Sequence, residues 1–504
     1  MINISPTSRN RDMSQVHSLP TSLFLTEQVR TAELNAVNSG SVSLYQLVER
    51  AGAAAFQVIS ERQANTSRIV ILAGHGNNGA DAYVTATLLL EAGFCVKLQA
   101  STPSNPSDEL TCAIHRFLEA GGEAVKFCGS QIAEAEVIVD GLLGTGITGE
   151  LSAELAIVID AVNKSSAWVL SLDVPSGLNP DTGSYTTAAI EADVTLTFGA
   201  LKQGLLTGKA RHNCGELLIA ELGLTGYLPE PSATQIVCNQ CIKALVPRKR
   251  DAHKGDCGKV SVIGGDYGMA GAVRLAAEGC LRSGAGLVTV ISRPEHQLIV
   301  SATRPELMFW GCELVDMEVY LRLGWASALV IGPGLGTDDW GYNLLKAVDL
   351  SDKPCVIDAD GLNLLKDMPM RQKDWILTPH PGEAARLLDI SIEEIEQDRF
   401  KAVSLLHQEY GGVIVLKGAG TLIYDGNKCV VAPVGNPGLA SGGCGDVLAG
   451  VIGGLVAQGY SSMEAACLAV VIHGGAADLA ARMGERGMLA SDLMPYIRQL
   501  VNEI

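Results

Sequence analysis

Residues 68–81 read Arg68-Ile-Val-Ile-Leu-Ala-Gly-His-Gly-Asn-Asn-Gly-Ala-Asp81. A short apolar, β-branched run halted by glycine has the pattern of a buried strand. The turn Gly74-His75-Gly76-Asn77-Asn78-Gly79 follows, then a helix-like stretch from Ala80 to Glu91 and a second strand at Phe94–Leu98. Similar runs recur at Glu136–Asp140, Trp168–Asp173 and Val194–Phe198. Strands alternating with helices predict a parallel sheet, with ligands at the strands' carboxyl ends.

The pattern then pauses. Gly226-Tyr-Leu-Pro-Glu-Pro-Ser-Ala233 has the composition of a linker, followed by the basic residues Arg248-Lys-Arg250 and Lys254, which read as a solvated surface. Alternation restarts at Lys259–Ile263, Gly286–Ile291, Ala328–Ile331, Pro354–Asp358 and Gly412–Lys417, and the last stretch is helical in pattern. At 504 residues the chain fits two domains of about 220–260 residues each. The predicted boundaries are a disordered extension at 1–22, a first domain at 23–235 and a second at 236–504.

Composition narrows the function. Hydrophobic residues make up 47% and charged residues 18%, with 56 glycines, a balance suited to buried parallel strands and Gly-rich ligand loops. A net charge of −18 argues against nucleic-acid binding, since a phosphate backbone would be repelled. Small anions remain possible ligands through backbone amides at helix N-termini. No unbroken apolar run has the length of a membrane span, and the first 20 residues lack the apolar core of a secretory signal. Thirteen cysteines without disulfide-framework spacing suit a reducing cytoplasm. Cys238 and Cys241 form the only C-x-x-C, with no second pair to complete a zinc site.

Residues 74–79 match G-x-G-x-x-G, but the second strand runs into Gln99 where a ribose-binding acid would stand, which disfavours an ordinary dinucleotide site. Three strand-following loops are more telling: Asn77-Asn-Gly-Ala-Asp81, Asp140-Gly-Leu-Leu-Gly-Thr-Gly146 and Ser171-Leu-Asp-Val-Pro-Ser-Gly177. A doubly wound sheet would gather all three at one edge. Asn78, Asp140 and Ser176 offer hard oxygen ligands suited to an alkali or alkaline-earth cation. Asp173 stands where burial can tune a proton-transfer group. Each residue has a plainer role too, as a helix cap or a turn.

This trio of loops resembles the NAD(P)H-hydrate epimerase domain, over about residues 25–235. The resemblance implies a potassium ion held by Asn78, Asp140 and Ser176. It also implies substrate contacts from Asn77, Asn78, Gly79, Ala80 and Asp81, from Gly144, Thr145, Gly146, Ile147, Thr148, Gly149 and Glu150, and from Asp173. The family motif usually reads Asn-Asn-Gly-Gly-Asp-Gly, whereas this chain has Ala80 and Ala82.

In the second half the key stretch is Gly435-Asn-Pro-Gly-Leu-Ala-Ser-Gly-Gly-Cys-Gly-Asp446, leading into an apolar helix. Its glycines free backbone N–H groups to cradle an anion at a helix N-terminus. A carboxylate beside that anion is unfavourable unless Asp446 does proton chemistry on a substrate hydroxyl. His380 and Glu383 lie in Leu377-Thr-Pro-His-Pro-Gly-Glu383, and Lys417 in Val415-Leu-Lys-Gly-Ala-Gly-Thr421, a strand-to-strand loop suited to phosphate. Asp358 and Asp360 add carboxylates at a strand end, where they would position metal or substrate. The combination points to phosphoryl transfer to a small-molecule hydroxyl.

These motifs resemble the ribokinase-like superfamily, and more narrowly the ADP-dependent NAD(P)H-hydrate dehydratase, over about residues 245–500. The resemblance implies adenine-nucleotide contacts from Lys417, Gly418, Ala419, Gly420, Thr421 and Gly445. It also implies that Ala272, Gly334 or Gly336, His380 and Asp446 face the hydrated nicotinamide. Cys444 replaces a threonine common in relatives. The fold expected is α/β in two domains: a Rossmann-like doubly wound sheet, then a ribokinase-like α/β/α sandwich.

The function implied is repair of hydrated NADH and NADPH by R/S epimerisation, with Asp173 as the proton-transfer group, and by dehydration of the S form at the expense of ADP. Mg2+ with the nucleotide, a homo-oligomer and a cytoplasmic location complete the expectation. The rival is a ribokinase-like vitamin-precursor kinase using ATP, with a non-catalytic N-terminal binding module. ATP-dependent phosphorylation of a free alcohol would favour that rival.

Overall fold

The computed structural model describes residues 4–6, 19–101, 106–146, 151–236, 242, 245–368 and 370–502. Ile147, Thr148, Gly149, Glu150, Cys238 and Cys241 lie outside the described residues. The chain divides into two compact units, Met1–Thr234 and Gln235–Ile504.

The strands of the first unit are β1 (Ile4–Pro6), β2 (Ser22–Leu23), β3 (Arg68–Ala73), β4 (Cys95–Ala100), β5 (Ala124–Val125), β6 (Val137–Gly141), β7 (Trp168–Leu172), β8 (Val194–Phe198) and β9 (Glu216–Ala220), and β10 (Ala233–Gln235) falls at the point where the chain passes to the second. Eight of them form a sheet in the order β1-β9-β8-β7-β6-β3-β4-β5, parallel except where β1 runs antiparallel to β9. Ile4–Pro6 therefore departs from the disordered extension expected there: the free edge of β9 offers unpaired backbone groups, and this segment takes them.

Alternate residues along the central strands face opposite layers. Ile69, Ile71, Val137 and Val139 pack with the helices Leu44–Arg62 and Asn77–Glu91, while Val70, Leu72, Ile138 and Val169 pack with the helix Ala153–Asn163. Two apolar faces explain why the strands read as unbroken hydrophobic runs. Each fully buried Val, Leu or Ile contributes about 1.5–3 kcal/mol. Strand order reverses between β3 and β6, so the loops after them open a crevice at the carboxyl edge. Gly74 permits that crevice, because a Cβ there would lie 1.8 Å from the Leu142 carbonyl oxygen.

In the second unit the strands are β11 (Lys259–Ile263), β12 (Leu287–Ser292), β13 (Met308–Gly311), β14 (Ala328–Ile331), β15 (Cys355–Ile357), β16 (Trp375–Leu377), β17 (Val413–Leu416), β18 (Thr421–Tyr424) and β19 (Cys429–Ala432). Their order is β13-β12-β11-β14-β15-β16-β17-β18-β19, parallel from β13 to β17 and antiparallel beyond. The reversal falls between β11 and β14. Among the described residues one helical segment, Ser462–Met483, is long and apolar enough to cross a membrane, yet 78% of its most apolar window is buried within the protein, as in a core helix.

Two helices carry the site of this unit, Ala270–Arg282 and Cys444–Ala457. Glycine sets their separation: a Cβ on Gly450 would lie 1.9 Å from the Ala276 carbonyl oxygen, and one on Gly279 2.7 Å from that of Val447. The obstacle in each case is backbone, which cannot rotate aside. Gly450→Ala should therefore force the helices apart and destabilise this unit by about 1–3 kcal/mol, read as a lower urea midpoint.

Candidate active sites

In the first unit, the loops after β3, β6 and β7 meet at the predicted edge. Asn78 is buried in the first turn of the helix Asn77–Glu91, and its Nδ2 donates to the carbonyl oxygens of Leu143 (2.9 Å) and Leu172 (3.0 Å). Its Oδ1 is buried with no hydrogen-bond partner among the described residues. Asp140 is fully buried; its Oδ2 accepts from Ser171 Oγ (2.8 Å) and Ser176 N (2.9 Å), and its Oδ1 from Ser176 Oγ (2.5 Å). Burial raises the pKa of Asp140, opposed by the hydrogen bonds from Ser176 and Ser171. Asn78, Asp140 and Ser176 thus come together as expected. An orphaned amide oxygen beside a buried carboxylate is the environment a bare cation satisfies.

A cavity of about 450 Å3 opens beside them, lined by Asn77, Asn78, Asp81, Gly144, Thr145, Gly146 and Asp173. Glu33 and Lys202 also line it, and neither was singled out from sequence. Lys202 has 2% of its side chain exposed and lies 2.5 Å from Asp173 Oδ1. Asp173 itself takes a left-handed φ of 63°, a region that aspartate enters more readily than most residues. Burial drives the pKa of Asp81 well above the ordinary carboxylate range, reinforced by the charges of Asp173 and Glu33. Burial likewise raises Glu33. Ala80 and Ala82 are fully buried within the same helix, and neither has a positive φ, so both methyls fit. Gln99 is buried at the end of β4 with its Oε1 accepting from Cys128 N, a structural role that explains the missing ribose acid.

In the second unit, Gly443 begins the helix Cys444–Ala457 with a φ of 89°, and its first-turn N–H groups have no acceptor within the helix. Lys417, on the β17–β18 turn, stands at this helix start: a Cβ on Gly445 would lie 3.3 Å from its Nζ. Its ammonium bonds Asp358 Oδ1 (2.8 Å) and lies 3.7 Å from Glu383. Burial opposes that charge, but Asp358 and Glu383 outweigh it and raise the lysine's pKa. Asp446 is pushed up to about 7, by burial first and then by Asp358.

Gly334 packs against Ala272, with an ideal Cβ 3.2 Å from the alanine's, and the Gly336 N–H donates to Asp360 Oδ2 (3.0 Å). Asp358 and Asp360 thus hold Lys417 and the Gly336 loop. His380 caps the helix Pro381–Leu388, its Nδ1 accepting from Gly382 N (3.0 Å), and burial lowers its pKa. Two supporting residues carry no motif. Arg399 is 1% exposed and donates to the carbonyl oxygens of Leu416 (3.2 Å) and Lys417 (3.1 Å), fixing the turn that includes Gly418, Ala419, Gly420 and Thr421. His473 donates from Nε2 to the Cys444 carbonyl oxygen (2.9 Å), and burial pushes its pKa down to about 4, so the ring is neutral. Cys444 is itself buried, facing away from solvent.

A cavity of about 890 Å3 in this unit lies instead at the far ends of the same two helices, among Arg248, Glu278, Arg304, Gln458 and Arg498. Three of its arginines are engaged there: Arg248 bonds the Gly284 carbonyl oxygen, and Arg282 and Arg304 pair with Glu278.

A family model described as NAD(P)H-hydrate dehydratase matches residues 260–499, and one described as YjeF-related protein N-terminus matches residues 44–204. A bifunctional NAD(P)H-hydrate repair enzyme, Nnr, of Coxiella burnetii is 47% identical over 488 residues, covering 96% of this chain and 100% of its own. The Escherichia coli protein of the same description is 44% identical over 490 residues, covering 96% of this chain and 95% of its own. A ribokinase-like superfamily protein from Enterococcus faecalis superposes with a TM-score of 0.50 at 29% identity, over 53% of this chain and 94% of that one.

Arg399→Met should remove the buried partner of Glu396 and two carbonyl ties, destabilising the second unit by about 3 kcal/mol and loosening the Lys417 turn. Chemical denaturation would register the first effect and faster proteolysis of the turn the second; an unchanged midpoint would refute the assignment.

Proposed function

The chain belongs to the bifunctional NAD(P)H-hydrate repair family, and from that membership we propose which residues carry its two activities. The enzyme restores hydrated NADH and NADPH through epimerase and dehydratase chemistry. In our reading the first unit interconverts the R and S hydrates, which differ at the hydroxyl-bearing C6 of the nicotinamide ring. The second unit then dehydrates the S form with ADP. Water addition is not stereoselective, so an enzyme that clears one epimer needs the other activity beside it.

For dehydration, the supporting observation is the placing of the Lys417 ammonium and the Asp446 carboxylate together at the start of one helix. Asp446 takes the proton of the C6 hydroxyl while the terminal phosphoryl group of ADP passes to that oxygen. Phosphate then leaves as C5 loses a proton, giving the reduced nucleotide, AMP and phosphate. Lys417 and the first-turn amides hold the phosphoryl oxygens, whose charge spreads in the transition state. Gly418, Ala419, Gly420 and Thr421 border the nucleotide; Ala272, Gly334, Gly336 and His380 border the nicotinamide. No cluster of three acidic, histidine or cysteine side chains suited to a metal occurs among the described residues. Magnesium would therefore be held chiefly by the phosphates, as that ion prefers.

In the first unit, Asn78, Asp140 and Ser176 fit a potassium ion, whose fixed positive charge would brace the three loops against an anionic substrate. The orphaned Asn78 Oδ1 supports this. We place the enzyme in the cytoplasm on its cysteine usage. We expect a homo-oligomer, for which the free edge of β13 and the exposed Leu314 and Met317 beyond it offer a face.

The test is recovery of 340 nm absorbance from mixed R and S NADH hydrates with ADP and magnesium. Recovery should be complete. Asp446→Asn should slow dehydration by about 10²–10⁴-fold and leave epimerisation intact; undiminished dehydration would sink the assignment. The base must be ionised, and Asp446 sits at about 7. The dehydration rate should accordingly fall as pH drops through that value and level off above it.

A further inference from the structure

Asp173, Asp81 and Lys202 make an arrangement more specific than a substrate-binding edge. Lys202 Nζ places its three donors on Asp173 Oδ1 (2.5 Å), Thr197 Oγ1 (3.1 Å) and the Phe198 carbonyl oxygen (2.7 Å). So engaged, it is an ammonium, with no lone pair to attack a carbonyl. Asp173 Oδ1 also accepts from Phe198 N (3.1 Å), whereas no donor reaches its Oδ2 among the described residues. One carboxylate oxygen is anchored; the other is left for the cavity that Asp173 lines.

Asp81 lines the same cavity, and its carboxyl meets no hydrogen-bond donor among the described residues. Its helix turn is tied to the end of β7 through Asn78 Nδ2 and the carbonyl oxygen of Leu172, the neighbour of Asp173. The remaining charged or titratable groups around the cavity are Arg30 and Glu33 from the helix Thr26–Asn38, His75 from the loop after β3, and Glu109 from the helix Asp108–Glu119. Lys202 is spatially committed to Asp173.

Resting on the epimerase reading of this unit, we propose that C6 is inverted by ring opening. Asp173 is the base on the C6 hydroxyl, Asp81 the acid on N1, and Lys202 the positioning residue that keeps the two carboxyls in those roles. The C6 hydroxyl gives its proton to Asp173 Oδ2 as C6=O forms and the C6–N1 bond breaks. The electron pair of that bond goes to N1, which takes the Asp81 proton. Rotation about C5–C6 presents the other face of the aldehyde. N1 then adds to C6 and returns its proton to Asp81, while Asp173 returns its own to the oxygen. Both groups end in their starting forms, and no water, metal or oxidant enters.

One observation and one chemical argument favour this course over loss and readdition of water. Burial and the charge of Asp173 raise Asp81, which suits a neutral acid beside an ionised base, and environments that push a carboxyl pair apart assign the two roles. Loss of hydroxide would also leave a ring cation whose C5 proton is acidic, and its collapse to the reduced nucleotide would bypass the phosphoryl-driven step.

The decisive experiment converts the R to the S hydrate with wild-type enzyme in H2 18O and reads the product hydroxyl by mass spectrometry at early times. Retention of the original oxygen is expected; one 18O per inversion overturns ring opening. The pH profile of epimerisation tests the roles. Asp81→Asn should cut the rate at least 100-fold and abolish the alkaline limb, with Asp81→Glu restoring part of both. Lys202→Met, which frees Asp173 Oδ1 from its anchor, should lower kcat with little change in KM, and Lys202→Arg should restore part of it. A full rate in Asp81→Asn, or an undiminished kcat in Lys202→Met, overturns the pair. A wild-type enzyme with no epimerase activity would instead overturn the reading on which the proposal rests.

Discussion

A lysine ammonium buried against an aspartate at the carboxyl edge of a parallel sheet organises each unit. In the first it is Lys202 with Asp173, in the second Lys417 with Asp358. Such a pair forms at a cost, because two ions leave water, and it persists where further hydrogen bonds complete both partners. Thr197 and Phe198 do this for Lys202, and Thr378 Oγ1 does it for Asp358 at 2.7 Å. Each pair also leaves a further carboxyl nearby without a cation of its own, Asp81 in one unit and Asp446 in the other. The pKa of that carboxyl is raised, by burial first in both cases. Both sites thus share one arrangement: a cation fixed on one carboxylate, with a second, buried carboxyl beside it able to move a proton.

The sheet strands were legible because both faces are covered, so that β3, β6, β8, β11 and β14 appear as apolar runs that no loop imitates. Their ends shifted by a residue or so: the strand expected at Pro354–Asp358 is Cys355–Ile357. Loop residues with motif spacing were also legible, and Asn78, Asp140 and Ser176 converge on one point because strand order reverses between β3 and β6. Lys202, Glu33, Arg399 and His473 were not. Each acts from a separate helix or turn and contacts the site only after folding, and a buried lysine or arginine is indistinguishable in sequence from the solvated ones that outnumber it. Ile4–Pro6 was missed for a related reason, since pairing with β9 depends on an edge left open more than two hundred residues later.

The departures from the family motifs have a common explanation in backbone geometry. Ala80 and Ala82 occupy helical positions, where a methyl is accepted and even favoured over glycine by its smaller entropy loss. Glycine is kept where it is needed: a Cβ on Gly79 would lie 2.2 Å from the Gly74 carbonyl oxygen. Cys444 is buried at the helix start, and its backbone carbonyl, not its side chain, is what His473 holds. The anion-facing groups of that turn are amides, which a change from hydroxyl to thiol leaves in place.

A chain of net charge −18 that handles pyridine nucleotides faces an electrostatic difficulty, and its sites offer a local means of meeting it. Attraction by a broad basic surface would fail here, and basic side chains are few at either edge. Each site relies instead on short-range partners: helix-start amides, one buried lysine and, in the first unit, an oxygen cluster fitted to a cation. Fixed dipoles inside a low-dielectric crevice lose little to salt, whereas exposed charges are screened within about 10 Å at ordinary ionic strength.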